Sequence, residues 1–133
     1  MITGVAHVCF TVRNMDAALA FYRDRLGMTE AFAWRRGDGS KSGVYLHVGR
    51  RTFLELFEGD VGEPAARPSY RHLCLEVDDI NATVAELRAK GVEVTDVKLG
   101  DDRAWQAWTS DPDGNRIELH QYTPESKQTP SLG

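Results

Sequence analysis

The sequence predicts an α+β fold: paired βαβββ modules forming a curved, barrel-like mixed sheet with helices on the outside. Three observations carry this expectation. The run His7-Val8-Cys9-Phe10-Thr11-Val12 aligns with His72-Leu73-Cys74-Leu75-Glu76-Val77 at an offset of 65 (72 − 7). Phe53-Leu54-Glu55-Leu56 aligns with Arg116-Ile117-Glu118-Leu119 at 63 (118 − 55), a shift that small loop-length differences between two copies of one unit would produce. Each copy also holds one helical stretch, followed by a glycine and then by strand-like runs. Two copies are too few for a solenoid, so a paired-module domain is expected.

From Gly4 to Val12 apolar and polar residues alternate with the period of a strand. Asn14 then caps a helix over about Met15 to Leu26, which carries Ala18, Leu19, Phe21 and Tyr22 at helical spacings and stops at Gly27. Strands are expected over about Met28 to Arg35, Gly43 to Val48 and Thr52 to Phe57, separated by the Gly-rich loop Arg36 to Ser42 and the reversal Gly49-Arg50-Arg51. After an irregular linker, residues 59–69, the order repeats. A strand runs from Tyr70 to Val77, and a helix from about Ile80 to Lys90, capped by Asp79 and closed by Gly91. Strands follow near Glu93 to Lys98, Ala104 to Ser110 and Asn115 to Tyr122. Asp111-Pro112-Asp113-Gly114 is a turn. From Thr123 the polar tail is expected to be mobile or laid over a neighbouring surface.

At 133 residues the chain has the size of one domain, 1–133, with module one at about 2–58, module two at about 70–122 and the tail at 123–133. A net charge of −4 with scattered basic residues argues against a nucleic-acid partner. No apolar run is long enough to span a membrane and no signal-like segment opens the chain, so the expectation is a cytoplasmic protein with no membrane partner. Cys9 and Cys74, the two cysteines, form no CxxC spacing and are expected to act as small buried hydrophobes; lining the same cavity as the histidines is the second reading.

Strand parity is the most discriminating test, because residues two apart share a face. On the four strands that carry His7, Glu55, His72 and Glu118, every residue of the opposite face is apolar: Val8, Phe10 and Val12; Leu54 and Leu56; Leu73, Leu75 and Val77; Ile117 and Leu119. Those apolar faces can pack on the helices, leaving the four polar residues on the concave side of the sheet. Two imidazoles and two carboxylates supply nitrogen and oxygen donors to a divalent ion, and isolated carboxylates in apolar surroundings are otherwise costly. His7, Glu55, His72 and Glu118 are therefore the expected metal ligands.

His120 shares the face of Glu118 and is either a proton donor or substrate contact near the metal or a strand-end histidine at the rim. His47 is read as an ordinary sheet residue. Trp105 and Trp108 face opposite sides of one strand; Trp105 is taken as a substrate contact.

At these residues the chain resembles the vicinal oxygen chelate superfamily, which contains glyoxalase I, methylmalonyl-CoA epimerase, extradiol dioxygenases, fosfomycin-resistance enzymes and bleomycin-binding proteins. The resemblance spans nearly all of residues 2 to 122, including the ending Asp111-Pro112-Asp113-Gly114-Asn115-Arg116-Ile117-Glu118-Leu119. The His/Glu/His/Glu set looks most like bacterial glyoxalase I (lactoylglutathione lyase). It implies a divalent ion, Ni, Co, Zn, Mn or Fe, and a homodimer. Glyoxalase I usually has an arginine and an asparagine four residues after its first two ligands, both on glutathione. This chain has Thr11 and Gly59 there, which points to a different small oxygenated substrate, with Thr11 among its contacts.

The expected activity is that of a metal-dependent lyase or isomerase. A small substrate with vicinal oxygens chelates the ion, and Glu55 or Glu118 moves a proton next to its carbonyl. Two alternatives stand beside it: an extradiol-type dioxygenase with Glu55 outside the ligand set, and a non-enzymatic small-molecule or antibiotic-binding protein.

Overall fold

In the computed structural model, which describes Met1–Gly133, the chain divides into two units, Met1–Ala66 and Arg67–Gly133. The first contains β1 (His7–Val12), α1 (Met15–Leu19) running into a π-helical segment (Ala20–Arg25), β2 (Thr29–Arg35), β3 (Lys41–Gly49) and β4 (Thr52–Glu58). The second contains β5 (Leu73–Glu76), α2 (Ile80–Ala89), β6 (Lys98–Leu99), β7 (Trp105–Ser110) and β8 (Arg116–Gln121), followed by a 3-10 turn at Thr129–Ser131. The sheet orders are β1-β4-β3-β2 and β5-β8-β7-β6. In each, the first strand lies parallel to the fourth and the other pairs are antiparallel. The fold is thus the expected α+β class, and the sequence repeat is a repeat of topology.

Local chemistry starts each helix in the same way twice. Asn14 Oδ1 accepts from Ala17 N at 2.9 Å and Asp79 Oδ1 from Ala82 N at 3.0 Å, each cap worth about 1 kcal/mol. A second acceptor comes from the end of the fourth strand: Glu58 Oε2 takes Met15 N and Gln121 Oε1 takes Ile80 N, both at 2.8 Å. Each helix start is thereby pinned to its own sheet. Gly27 and Gly91, at φ +81° and +80°, end the helices in the left-handed conformation that other residues adopt at a cost.

Alternation then decides which face is covered. In the first unit Val12, Val44, Leu46, Leu54 and Leu56 are buried together with Met15, Ala18, Leu19 and Tyr22 of the helical segment. In the second, Ala107, Ile117 and Leu119 are buried, as are Ile80, Val84 and Leu87 of α2, which packs on β7 and β8. Removing a large side chain from either core, as in Leu56→Ala, costs about 2–5 kcal/mol.

Several elements differ from expectation. The helix after Asn14 is α-helical only to Leu19 and then widens; Leu26 N bonds Phe21 O and Met28 N bonds Tyr22 O, and the consecutive residues Phe21 and Tyr22 are both buried. The strand expected over Tyr70 to Val77 shrinks to Leu73–Glu76, because the Tyr70 hydroxyl takes the place of backbone pairing: it donates to Arg116 O and accepts from Leu73 N. His72 consequently lies just before β5. The strand expected near Glu93 to Lys98 survives only as Lys98–Leu99, since side chains take up the preceding backbone groups: Thr109 Oγ1 donates to Glu93 O and Arg88 to Val94 O, while Thr95 Oγ1 accepts from Trp108 N.

The tail is laid down within its own unit. Ser126 is buried and donates to Arg103 O, and Gln128 Nε2 donates to Asp102 at 2.7 Å. No helix is long and apolar enough to cross a membrane.

Candidate functional site

In the first unit one sheet face is built by register. His7, Cys9 and Thr11 of β1 stand opposite Phe53, Glu55 and Phe57 of β4, which stand opposite His47, Tyr45 and Gly43 of β3. His7 and Glu55 are therefore diagonal neighbours, and Nε2 lies 3.5 Å from Oε2. The other imidazole nitrogen, Nδ1, is 2.8 Å from the Tyr45 hydroxyl. Withdrawal from water, and then a hydrogen bond to Glu55 and its charge, raise the Tyr45 phenol above its ordinary range. Tyr45 thus ties the histidine to the carboxylate.

The second unit repeats the arrangement with different lining. Cys74 stands opposite Glu118, and Trp108 of β7 stands opposite it on the other side. His72 Nε2 is 3.1 Å from Glu118 Oε2, and the His72 ring meets Trp108 edge-on at 4.8 Å between centroids. Tyr45 and Trp108 are 63 apart (108 − 45), the offset that relates Glu55 to Glu118. Neither was singled out from sequence as a histidine's neighbour, although that offset was the available signal.

Glu118 also faces His120, whose Nδ1 is 3.2 Å from Oε1. His120 is 6% exposed and its Nε2 is buried without a hydrogen-bond partner, with Asp102 Oδ2 3.8 Å away. Of the two positions open to His120, the structure shows the interior one beside Glu118. Asp102 is held below the usual carboxylate range, first by the hydrogen bond from Gln128 and also by the N–H of Ala104.

Residues 4–119 match the family described as the Glyoxalase/Bleomycin resistance protein/Dioxygenase superfamily. The chain belongs to that superfamily. Among curated relatives it is similar to metallothiol transferase FosB of Staphylococcus epidermidis, with 28% identity covering 90% of this chain and 82% of that protein. It is similar also to lactoylglutathione lyase of Haemophilus influenzae, with 30% identity covering 86% and 90%. Among solved structures, TnmS3, an antibiotic binding protein from Streptomyces sp. CB03234, has a TM-score of 0.74 and 30% identity over 92% of this chain and 98% of that one.

The donor chemistry of this glyoxalase-superfamily chain fits a divalent ion. Two donors bound at about 2.0–2.2 Å with angles of 90–110° lie about 2.8–3.6 Å apart, a range that holds the 3.5 and 3.1 Å found within the two His–Glu pairs. The partners of both carboxylates are imidazoles rather than the Lys or Arg that an ordinary ion pair would use. A further group, Cys74, Glu118 and His120, has ligand atoms within 4.8 Å of one another.

The cysteines correct the sequence reading. Cys9 and Cys74 are exposed, on the faces of Glu55 and Glu118, so they are not the buried hydrophobes expected. Partial withdrawal of its sulfur from water, then the Glu118 charge, pushes the Cys74 thiol up to about 12. It stays protonated near neutral pH.

Thr11 is exposed on the His7 face, with its Cγ2 3.4 Å from where a Cβ on Gly59 would stand. Trp105 is exposed, but by register it lies on the side of Ala107, away from Glu118; Trp108 occupies the Glu118 side. His47 bonds Arg50 O at 2.9 Å, an ordinary hairpin contact. A cleft of about 640 Å³ near the start of α1 is lined by Arg23, Arg36, Lys41 and Glu58. Arg36 pairs with Glu58 at 3.0 Å and Lys41 with Glu30 at 2.7 Å, and none of the site residues above lines the cleft.

Proposed function

We propose that this protein is a divalent-metal-dependent, glyoxalase-I-like lyase or isomerase acting by proton transfer on a small substrate with vicinal oxygens, one not linked to glutathione. His7, Glu55, His72 and Glu118 are the proposed ligands. The observation that carries the reading is the twice-built His–Glu pair, with each carboxylate set against an imidazole at 3.5 Å in the first unit and 3.1 Å in the second.

The bound ion would supply Lewis-acid polarisation of the chelated oxygens. Glu55 and Glu118 accept and return the proton on the carbon beside the substrate carbonyl, and return to the neighbouring carbon gives isomerisation. The His120 Nδ1 contact holds the Glu118 carboxylate in place, which favours Glu118 for the transfer. Thr11 contacts the substrate, and the active form is a cytoplasmic homodimer, checked by sedimentation.

Elemental analysis of protein purified without added metal tests the centre. Wild type is expected to carry a divalent ion that Glu55→Gln and His72→Ala hold at least about tenfold more weakly. Absence of any divalent ion from wild type and variants alike overturns the reading. Solvent deuterium entering the substrate carbon beside the carbonyl reports the proton transfer; oxygen uptake with bound iron would instead identify a dioxygenase.

A second reading, a small-molecule-binding protein without catalysis, is favoured by the likeness to TnmS3. It predicts ligand retention unchanged by Glu55→Gln.

A further inference from the structure

The two units carry matched His–Glu pairs, but their surroundings differ in kind. Where Glu118 has Gln106, Trp108, Arg116 and His120 on its face, Glu55 has Gly43, Tyr45, Phe53 and Phe57, extended on β2 by Phe32 and Trp34. These rings form one connected set. Phe32 stacks on Tyr45 at 4.8 Å with 14° between planes, and Trp34 meets Phe32 edge-on at 5.0 Å and tilts over Phe57 at 5.2 Å.

Phe32 and Trp34 remain 49% and 40% exposed, whereas the residues of the opposite sheet face, Val44, Leu46, Leu54 and Leu56, are at most 1% exposed. Water contact with so much aromatic surface is unfavourable, and contiguous patches of this type mark binding sites. Gly43 lets the rings lie close against the sheet. A Cβ there would stand 2.6 Å from Phe57 and 2.9 Å from Trp34, so any side chain would displace the rings.

Continuity with the His–Glu pair identifies the occupant. Tyr45 touches His7 with its hydroxyl and stacks on Phe32 with its ring. Glu55 on β4 and Phe32 on β2 are two strands apart, roughly 10 Å, the span of a small aryl compound rather than of a protein surface. We infer that the Phe32–Trp34–Tyr45 platform binds a flat aromatic ring of the substrate, whose vicinal oxygens lie toward His7 and Glu55. This rests on the proposed function for the oxygens but not for the ring. The aromatic ring is the group that determines specificity, and Phe32 and Trp34 are its specificity residues.

Mandelate and hexahydromandelate share a 2-hydroxy-acid head and differ in whether the six-membered ring is flat or puckered, so they separate stacking from apolar contact. Titration followed by the Gly43 amide and Trp34 indole signals in NMR, with and without zinc, detects even weak binding. Mandelate is expected to bind roughly two- to tenfold more tightly. Phe32→Leu keeps apolar volume but removes the ring face, and should abolish that preference without changing zinc content. Equal binding of the two acids, no shift at either signal, or an unchanged preference in Phe32→Leu overturns the inference. So does sedimentation in which Phe32→Leu dissociates a dimer, which would assign the face to a second copy of the chain. A preference that persists in protein unable to hold zinc would sink the metal centre alone; zinc binding without a preference would sink the aromatic platform alone.

Discussion

The Tyr45 hydroxyl lies 2.8 Å from Nδ1 of His7, on the side of the imidazole away from the Nε2 that faces Glu55. A metal on Nε2 would require the ring proton on Nδ1, where the Tyr45 oxygen would accept it. Tyr45→Phe is therefore expected to weaken divalent-metal affinity roughly tenfold or more with the fold intact. Chelator competition monitored beside circular dichroism checks this. Unchanged affinity would show that Tyr45 does not hold the tautomer.

Ser126 is 2% exposed, and its hydroxyl donates to Arg103 O and accepts from Thr123 N. Ser126→Ala strands Thr123 N beneath the tail, while Arg103 O keeps the 2.7 Å bond from Thr123 Oγ1, and should cost about 1–3 kcal/mol in urea unfolding. Truncation before Ser126 should cost at least as much, since it also removes the Gln128 donor from Asp102.

Glu30 supplies a pH dependence. Its carboxyl is held below the ordinary range, chiefly by the hydrogen bond from Lys41 and further by Arg23. As pH falls the unfolded chain takes up this proton first. The contribution is complete above the unfolded value, roughly 4.3, and is lost as pH drops through the lower folded value. Urea midpoints should decline across that window, and less steeply in Glu30→Gln.

Gly43→Ala puts a methyl group into the rings of Phe57 and Trp34. A destabilisation of about 1–3 kcal/mol is expected, with altered Trp fluorescence. A variant as stable as wild type would mean that the rings move aside freely.

The repeat, the two capped and glycine-stopped helices and the apolar faces of β1, β4, β5 and β8 were legible because each depends on local geometry. A strand exposes alternate residues whatever surrounds it, and a left-handed stop needs glycine in any context. Backbone pairing that side chains displaced was not legible. The Tyr70 hydroxyl shortened β5 and Thr109 shortened β6 through partners 46 and 16 residues away in the chain. The tail likewise found its place through the Asp102–Arg103 loop, which no periodicity in residues 123–133 announces.

The site divides in the same way. The sequence by itself determined that His7, Glu55 and Glu118 face away from the apolar sides of their strands, because parity is a property of the backbone, whereas His72 lies just before its strand. Only the tertiary structure decided what stands beside them: Tyr45 at His7, Trp108 at His72, exposed cysteines and a buried His120. Those neighbours come from register between strands distant in the chain, and register is set by packing of the opposite face rather than by any local preference.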